Sequence, residues 1–99
     1  MICEKIDLKH KQAEGFILAL GPFNLVGVRT DVGMVCCGAF DVSAMERFGY
    51  PAVRVKSGTG GAIETIEDLL AGIVKDANAG AVDLGVKIGM TGRESLELM

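Results

Sequence analysis

The sequence predicts a mixed α/β fold of the α+β kind: an N-terminal antiparallel β-meander, then short βα units packing helices on one mixed sheet. Three observations predict it. The first forty residues are apolar or alternating runs of strand length, separated by turn residues. After Asp41 the apolar period lengthens toward that of a helix. Thr65-Ile66-Glu67-Asp68 and Thr91-Gly92-Arg93-Glu94 both have capping-box spacing, in which a Thr hydroxyl and an acidic side chain three residues on satisfy each other's backbone N–H groups.

Each element follows from local chemistry. Ile2 to Lys9 alternates, with Ile6 and Leu8 on one face and Lys5, Asp7 and Lys9 on the other, as in a half-buried strand. Gln12 to Glu14 reads as a turn and Gly15 to Leu20 as a second, apolar strand. Gly21-Pro22 breaks it, because Pro cannot donate to a ladder. Asn24 to Thr30 is the third strand, and Asp31-Val32-Gly33 turns the chain into a fourth, Met34 to Gly38. Asp41 or Ser43 can start a short helix by accepting from its free N–H groups. Val42, Met45 and Phe48 would share the inner face of that helix, and Gly49 and Pro51 end it.

Ala52 to Lys56 alternates with Val53 and Val55 inward; a strand reached through a short helix is expected to run parallel to the fourth. Ser57-Gly58-Thr59-Gly60-Gly61 is a loop, and a helix opens at Thr65 and runs through Leu70. A further helix is expected to carry Ile73, Ala77, Ala81 and Leu84 on one stripe, with Gly85 as its C-cap. Val86 to Ile88 reads as a short strand, and the last helix opens at Thr91. The whole is one domain, 1–99: a β-rich region over 1–40 and a mixed α/β region over 41–99.

Composition narrows the function classes. A hydrophobic fraction of 49% marks a folded chain, and with no Trp and 14 Gly the core must be built from aliphatic side chains and close backbone approaches. A net charge of −3 argues against nucleic acid as a partner, since such modules carry a basic face. Lys5, Lys9, His10 and Lys11 form a local exception, read as a solvated strand edge. No apolar run reaches the ~20 residues of a membrane span, and Glu4, Lys5 and Asp7 stand where a signal peptide would be apolar. A cytoplasmic protein is expected. Three cysteines, two of them adjacent, agree with a reducing compartment.

Three stretches carry candidate chemistry. Cys36 and Cys37 lie where strand gives way to helix, and on a strand they point to opposite faces, so they cannot both serve one site. Cys37 is the candidate nucleophile, being nearer Gly38 and the helix start; both thiols also suit a core, where free Cys usually sits. His10 is the only histidine, and nothing but that count couples it to a thiol. Ser57, Gly58, Thr59, Gly60 and Gly61, followed by a helix, offer bare N–H groups to an anion. The spacing matches neither the Walker nor the dinucleotide fingerprint, a mobile glycine-rich connection is the more usual reason for such a stretch, and Glu64 would repel an anion. Arg93 has no local structural duty, so it is free to pair with Asp41 or a neighbouring subunit, or to grip a ligand carboxylate or phosphate. No metal-ligand spacing occurs and no cofactor is expected.

Cys37-Gly38-Ala39-Phe40-Asp41-Val42, Thr65-Ile66-Glu67-Asp68-Leu69-Leu70, Leu84-Gly85 and Gly89-Met90-Thr91-Gly92-Arg93-Glu94 together resemble the YunC-like family, small uncharacterised proteins of bacteria and archaea carrying a domain of unknown function. The resemblance extends from about Asn24 onward. It implies an N-terminal β region used for tetramerisation and no established activity.

Two readings follow. In the first, the chain is a homo-oligomer whose apolar meander buries its second face against other subunits, because a monomer seldom exposes such a surface. In the second, it is a small-molecule or anion-binding protein, or a thiol-dependent enzyme. Its pocket would lie where Cys37, Asp41, the Ser57–Gly61 loop and Arg93 converge at strand ends.

Overall fold

The computed structural model describes residues 1–99. Six strands form one sheet in strict chain order: β1 (Ile2–Asp7), β2 (Gln12–Ala19), β3 (Asn24–Arg29), β4 (Met34–Cys36), β5 (Ala52–Lys56) and β6 (Ile73–Ala77). All neighbours are antiparallel except β4 and β5, which run parallel as the intervening helix requires. The helices are one or two turns long: α1 (Val42–Glu46), α2 (Ile66–Leu70), α3 (Ala79–Asp83) and α4 (Gly92–Glu97). The fold is α+β, a meander followed by helix-bearing units on a mixed sheet.

The side-chain period of two divides the sheet into two faces. Ile6, Ala13, Val26, Val28, Val35, Val53, Val55 and Val74 share one face with Ile66, Leu69 and Leu96 from α2 and α4, forming the main core. Burying Leu69 and Leu96 completely stabilises the fold by about 2 kcal/mol each. On the opposite face a smaller cluster joins Met34, Cys36 and Ala52 to Val42 of α1, with Phe16, Phe40, Met45 and Tyr50 around it. The rings of Phe16 and Phe40 meet edge to face, centroids 6.2 Å apart. Gly27 makes room for that arrangement: a Cβ there would lie 2.6 Å from Phe16 Cζ.

Four expectations are corrected. The first turn is Leu8 to Lys11, not 12–14; Gln12 to Glu14 belongs to β2. Its position is fixed from outside, since Glu97 of α4 accepts from the Lys9 N–H at 3.0 Å and Lys11 reaches both Asp31 and the Met99 carbonyl. Phe48 does not turn inward; it lies beyond the end of α1 and is 85% exposed. The helix expected across Ile73 to Leu84 is a strand, β6, followed by the short α3. The spacing of Ile73, Ala77, Ala81 and Leu84 imitated a helical stripe, while Asn78 cuts it. Val86 to Ile88 forms no strand: the chain turns there, and Val74 N–H pairs instead with the Met90 carbonyl at 2.8 Å.

Asn78 closes the second half of the molecule. Its buried Oδ1 accepts from Ala52 N–H at 3.0 Å and Ala81 N–H at 3.2 Å. Its Nδ2 donates to the carbonyls of Val42, at 3.1 Å, and Tyr50, at 2.8 Å. One amide therefore ties α1, the turn before β5, β5 itself and the start of α3, with every polar atom satisfied.

Candidate functional site

The strand β4 ends at Cys36, and the connection to α1 passes between two pockets. One, about 260 Å³, is lined by Phe23, Asn24, Cys37, Gly38, Ala39, Val55, Lys56, Ser57, Gly61, Ala62 and Ile63. The other, about 350 Å³, is lined by Phe40, Asp41, Val42, Ser43, Glu46, Arg54, Asp76, Ala77 and Asn78. Cys37 and the glycine-rich loop thus meet at one place, and Asp41 faces the neighbouring one.

The two thiols separate as the strand period demands. Cys36 lies in the small cluster under α1, and its thiol donates to the Val53 carbonyl at 3.3 Å. Burial, helped by the neighbouring Cys37 and only partly opposed by Arg54, pushes its pKa up to about 12. Cys36 is therefore a neutral core thiol. Cys37 belongs to the main core side and is 5% exposed; its N–H donates to the Val26 carbonyl at 3.1 Å, and it borders the smaller pocket. No histidine or carboxylate lines that pocket, and His10 lies exposed in the first turn, so the one amine in its wall, Lys56, is the only charged side chain that shares the pocket with Cys37.

The loop Ser57 to Gly61 closes on itself. Ser57 Oγ lies 3.1 Å from Thr59 Oγ1 and accepts from Thr59 N–H at 3.3 Å, and Gly60 adopts a φ of +85°. Ala62, Ile63 and Glu64 separate the glycines from α2. The capping box at that helix takes the N–H groups of Glu64, Thr65 and Asp68: Thr65 Oγ1 accepts from Asp68 N–H at 3.0 Å, and Asp68 Oδ2 accepts from Glu64 and Thr65 N–H, both at 3.1 Å. The loop therefore offers a wall with one positive neighbour, Lys56, and Ala62 to Glu64 stand between its glycines and the helix end.

Asp41 is the N-cap of α1, accepting from Ser43 N–H at 3.0 Å and Ala44 N–H at 3.2 Å. Arg93 sits at the start of α4, bordering two shallow surface pockets, one with Glu67 and Leu70 and one with Lys9 and Glu97, and it enters neither of the first two. It is in none of the three ion pairs. The pair that sequence reading missed is Arg54 with Asp76, opposite each other on β5 and β6. Alternation places Arg54 away from Val53 and Val55, but the register shift after Arg54 that aligns Asp76 has no sequence signal. Arg54 also donates to the Gly38 carbonyl at 3.4 Å, fixing the connection between the pockets, while its Nε is buried without a partner. Asn78 was legible in principle as an N-cap before Ala-Gly-Ala, and Phe23 and Asn24 were not, because only β3–β4 pairing brings Cys37 to the start of β3 and so to their turn.

No cluster of three His, Cys, Asp or Glu side chains is placed to hold a metal. No helix is long and apolar enough to cross a membrane.

Comparison with known proteins agrees with this architecture. A family model described as a domain of unknown function, DUF1805, matches residues 36–99. The uncharacterized protein YunC of Bacillus subtilis (strain 168) is 34% identical over 73 residues, 74% of this chain and 71% of that protein. A crystal structure of a protein of unknown function, TA1206 from Thermoplasma acidophilum, superimposes with a TM-score of 0.83 at 25% identity, covering 94% of this chain and 86% of that one. The chain belongs to the DUF1805, YunC-like family.

Proposed function

We propose that this YunC-like chain works as a homo-oligomer, a tetramer, assembled through the apolar end of its N-terminal meander. One observation carries the reading. Around the β2–β3 turn, Leu18, Leu20 and Phe23 are 37%, 47% and 50% exposed, within a run from Phe16 to Val28 that contains no charge. Ile2, across from Ile17 on β1, adds a further exposed apolar side chain. A surface of this kind suits the apolar core of a homo-oligomer interface. The outer edge of β1 suits it less. Antiparallel pairing preserves faces, so the two longest registers of β1 on its own copy set Glu4 against Glu4 or Lys5 against Lys5. Native mass spectrometry of the gently purified chain tests the proposal: a tetramer is expected, and a monomer at micromolar concentration defeats it.

A second reading has its own support in the pocket beside Cys37. Its walls are mostly apolar, with Asn24, Ser57 and Lys56 as the polar exceptions and Lys56 the only charged side chain. Such a lining suits a small molecule with an apolar body and an anionic end. A stoichiometric adduct on the native oligomer would identify that ligand by mass. Displacement of the adduct by Lys56→Ala but not by Arg93→Ala would place it in this pocket; the reverse result would move it to α4.

A further inference from the structure

We infer that a second copy of the chain completes the wall of the Cys37 pocket, so that self-association and access to that pocket are coupled. The inference rests on the assembly proposed above and adds a consequence to it.

The coupling follows from a shared side chain. Phe23 lies on the β2–β3 turn, half exposed with Leu20, and the same residue lines the pocket that holds Cys37. Its neighbour Asn24 lines the pocket too, and Asn24 Nδ2 donates to the Glu64 carbonyl at 3.1 Å. That bond joins the hairpin turn to the segment bringing Gly61, Ala62 and Ile63 to the same pocket. Turn and loop form one lip. A copy seated on Leu20 and Phe23 rests on that lip and narrows the way to Cys37.

The occupant is another copy for two reasons. The run 16–28 carries no charge with which to recognise an oppositely charged partner, whereas homo-oligomer interfaces are the more apolar class. The chain also bears a net charge of −3, so two copies repel least where neither presents a charge. By linkage, a group that props the pocket open past Phe23 weakens association by the factor by which association restricts the pocket.

Iodoacetamide is a sufficient probe, because its reaction with a thiol needs no knowledge of the natural ligand. The full-length chain is labelled at high and low concentration, alongside Leu20→Asp, which alters the apolar patch but not the pocket wall. Peptide mass spectrometry then resolves Cys37 from exposed Cys3 and buried Cys36. Cys37 is expected to label about tenfold faster in dilute wild type and in Leu20→Asp than in concentrated wild type, with Cys36 slow throughout. Equal Cys37 rates in associated and dissociated protein overturn the coupling and leave the assembly standing. A parallel acceleration at Cys36 means global opening and also overturns it. A wild type that is monomeric at every concentration overturns both. If Leu20→Asp does not fold, the wild-type dilution series makes the same comparison.

Discussion

The two halves of the chain treat their apolar side chains differently. Between Ala52 and Met99 the exposed large apolar residues Val82, Leu84, Ile88 and Leu98 each adjoin a charge in sequence: Asp83, Lys87 or Glu97. Phe48, just before, adjoins Arg47. Around the β2–β3 turn, Leu18, Leu20 and Phe23 have no charged neighbour at all. The polar groups divide in the same way. The later half closes its helix ends with Thr65, Asn78 and Thr91 and buries an amide with all its bonds made. The meander leaves one end of its hairpin uncovered. The difference teaches that the later half satisfies its caps and its buried amide from its own residues, whereas the meander keeps an uncharged apolar surface, the one proposed above as the interface.

Substitutions that touch only one half sharpen this contrast. The largest expected effect belongs to Asn78→Ala, which strands two N–H and two carbonyl groups in the interior. A loss of about 3 kcal/mol is expected in urea unfolding, and that loss should not vary with protein concentration. A concentration-dependent loss would mean that the later half also depends on assembly, and the contrast would fail. Leu20→Asp comes next. Removing one Leu from an apolar interface should weaken association by about 2 kcal/mol per contact, roughly thirtyfold, read by analytical ultracentrifugation. The buried charge adds to that, while unfolding of the dissociated chain should change little. Ile88→Ser is the control on the other side. It is exposed and adjoins Lys87, so both stability and oligomeric state should stay within about 0.5 kcal/mol of wild type. Dissociation of Ile88→Ser would move the interface to the wrong half.

The same contrast decided how much was legible in sequence. The meander, the parallel pairing of β4 with β5 and the capping boxes at Thr65 and Thr91 could all be read, because each is a local pattern with one dominant cause. The stretch Ile73 to Leu84 misled because a four-residue spacing of apolar side chains fits two structures: a helix stripe, or a strand and a short helix broken by a cap. Tertiary pairing of β6 with β5 chose the second. At the candidate site, Cys37 and the Ser57–Gly61 loop do line one pocket, while Arg93 borders others. Strand order governs that outcome: Cys37 directly follows β4 and the loop directly follows its neighbour β5, whereas Arg93 rides on a helix whose docking depends on non-local packing.

The smallest expected effect tests the capping boxes themselves. Backbone N–H groups at Glu64 and Thr65 hold the Asp68 carboxyl below its ordinary value of 3.8, and the Thr91 N–H holds Glu94 below its ordinary 4.5. Carboxylates depressed in the folded state add stability at pH above their unfolded values and lose it as pH falls through the folded ones. Both helix ends should therefore weaken below about pH 4, where the meander has one comparable group, Asp31 beside Lys11. Asp68→Asn and Glu94→Gln each replace the titrating carboxyl by an amide whose oxygen can still accept from the same backbone N–H groups. Urea midpoints between pH 6 and pH 3 should fall less steeply in the double variant than in wild type. An unchanged acid slope would mean that the sensitivity lies at Asp31 or another meander carboxyl, and a Lys11→Met variant would then flatten it instead. Because Lys11 also reaches the Met99 carbonyl, that variant would join the two halves in a single measurement: an acid response carried by Lys11 depends on where the C-terminal helix ends as much as on the first hairpin.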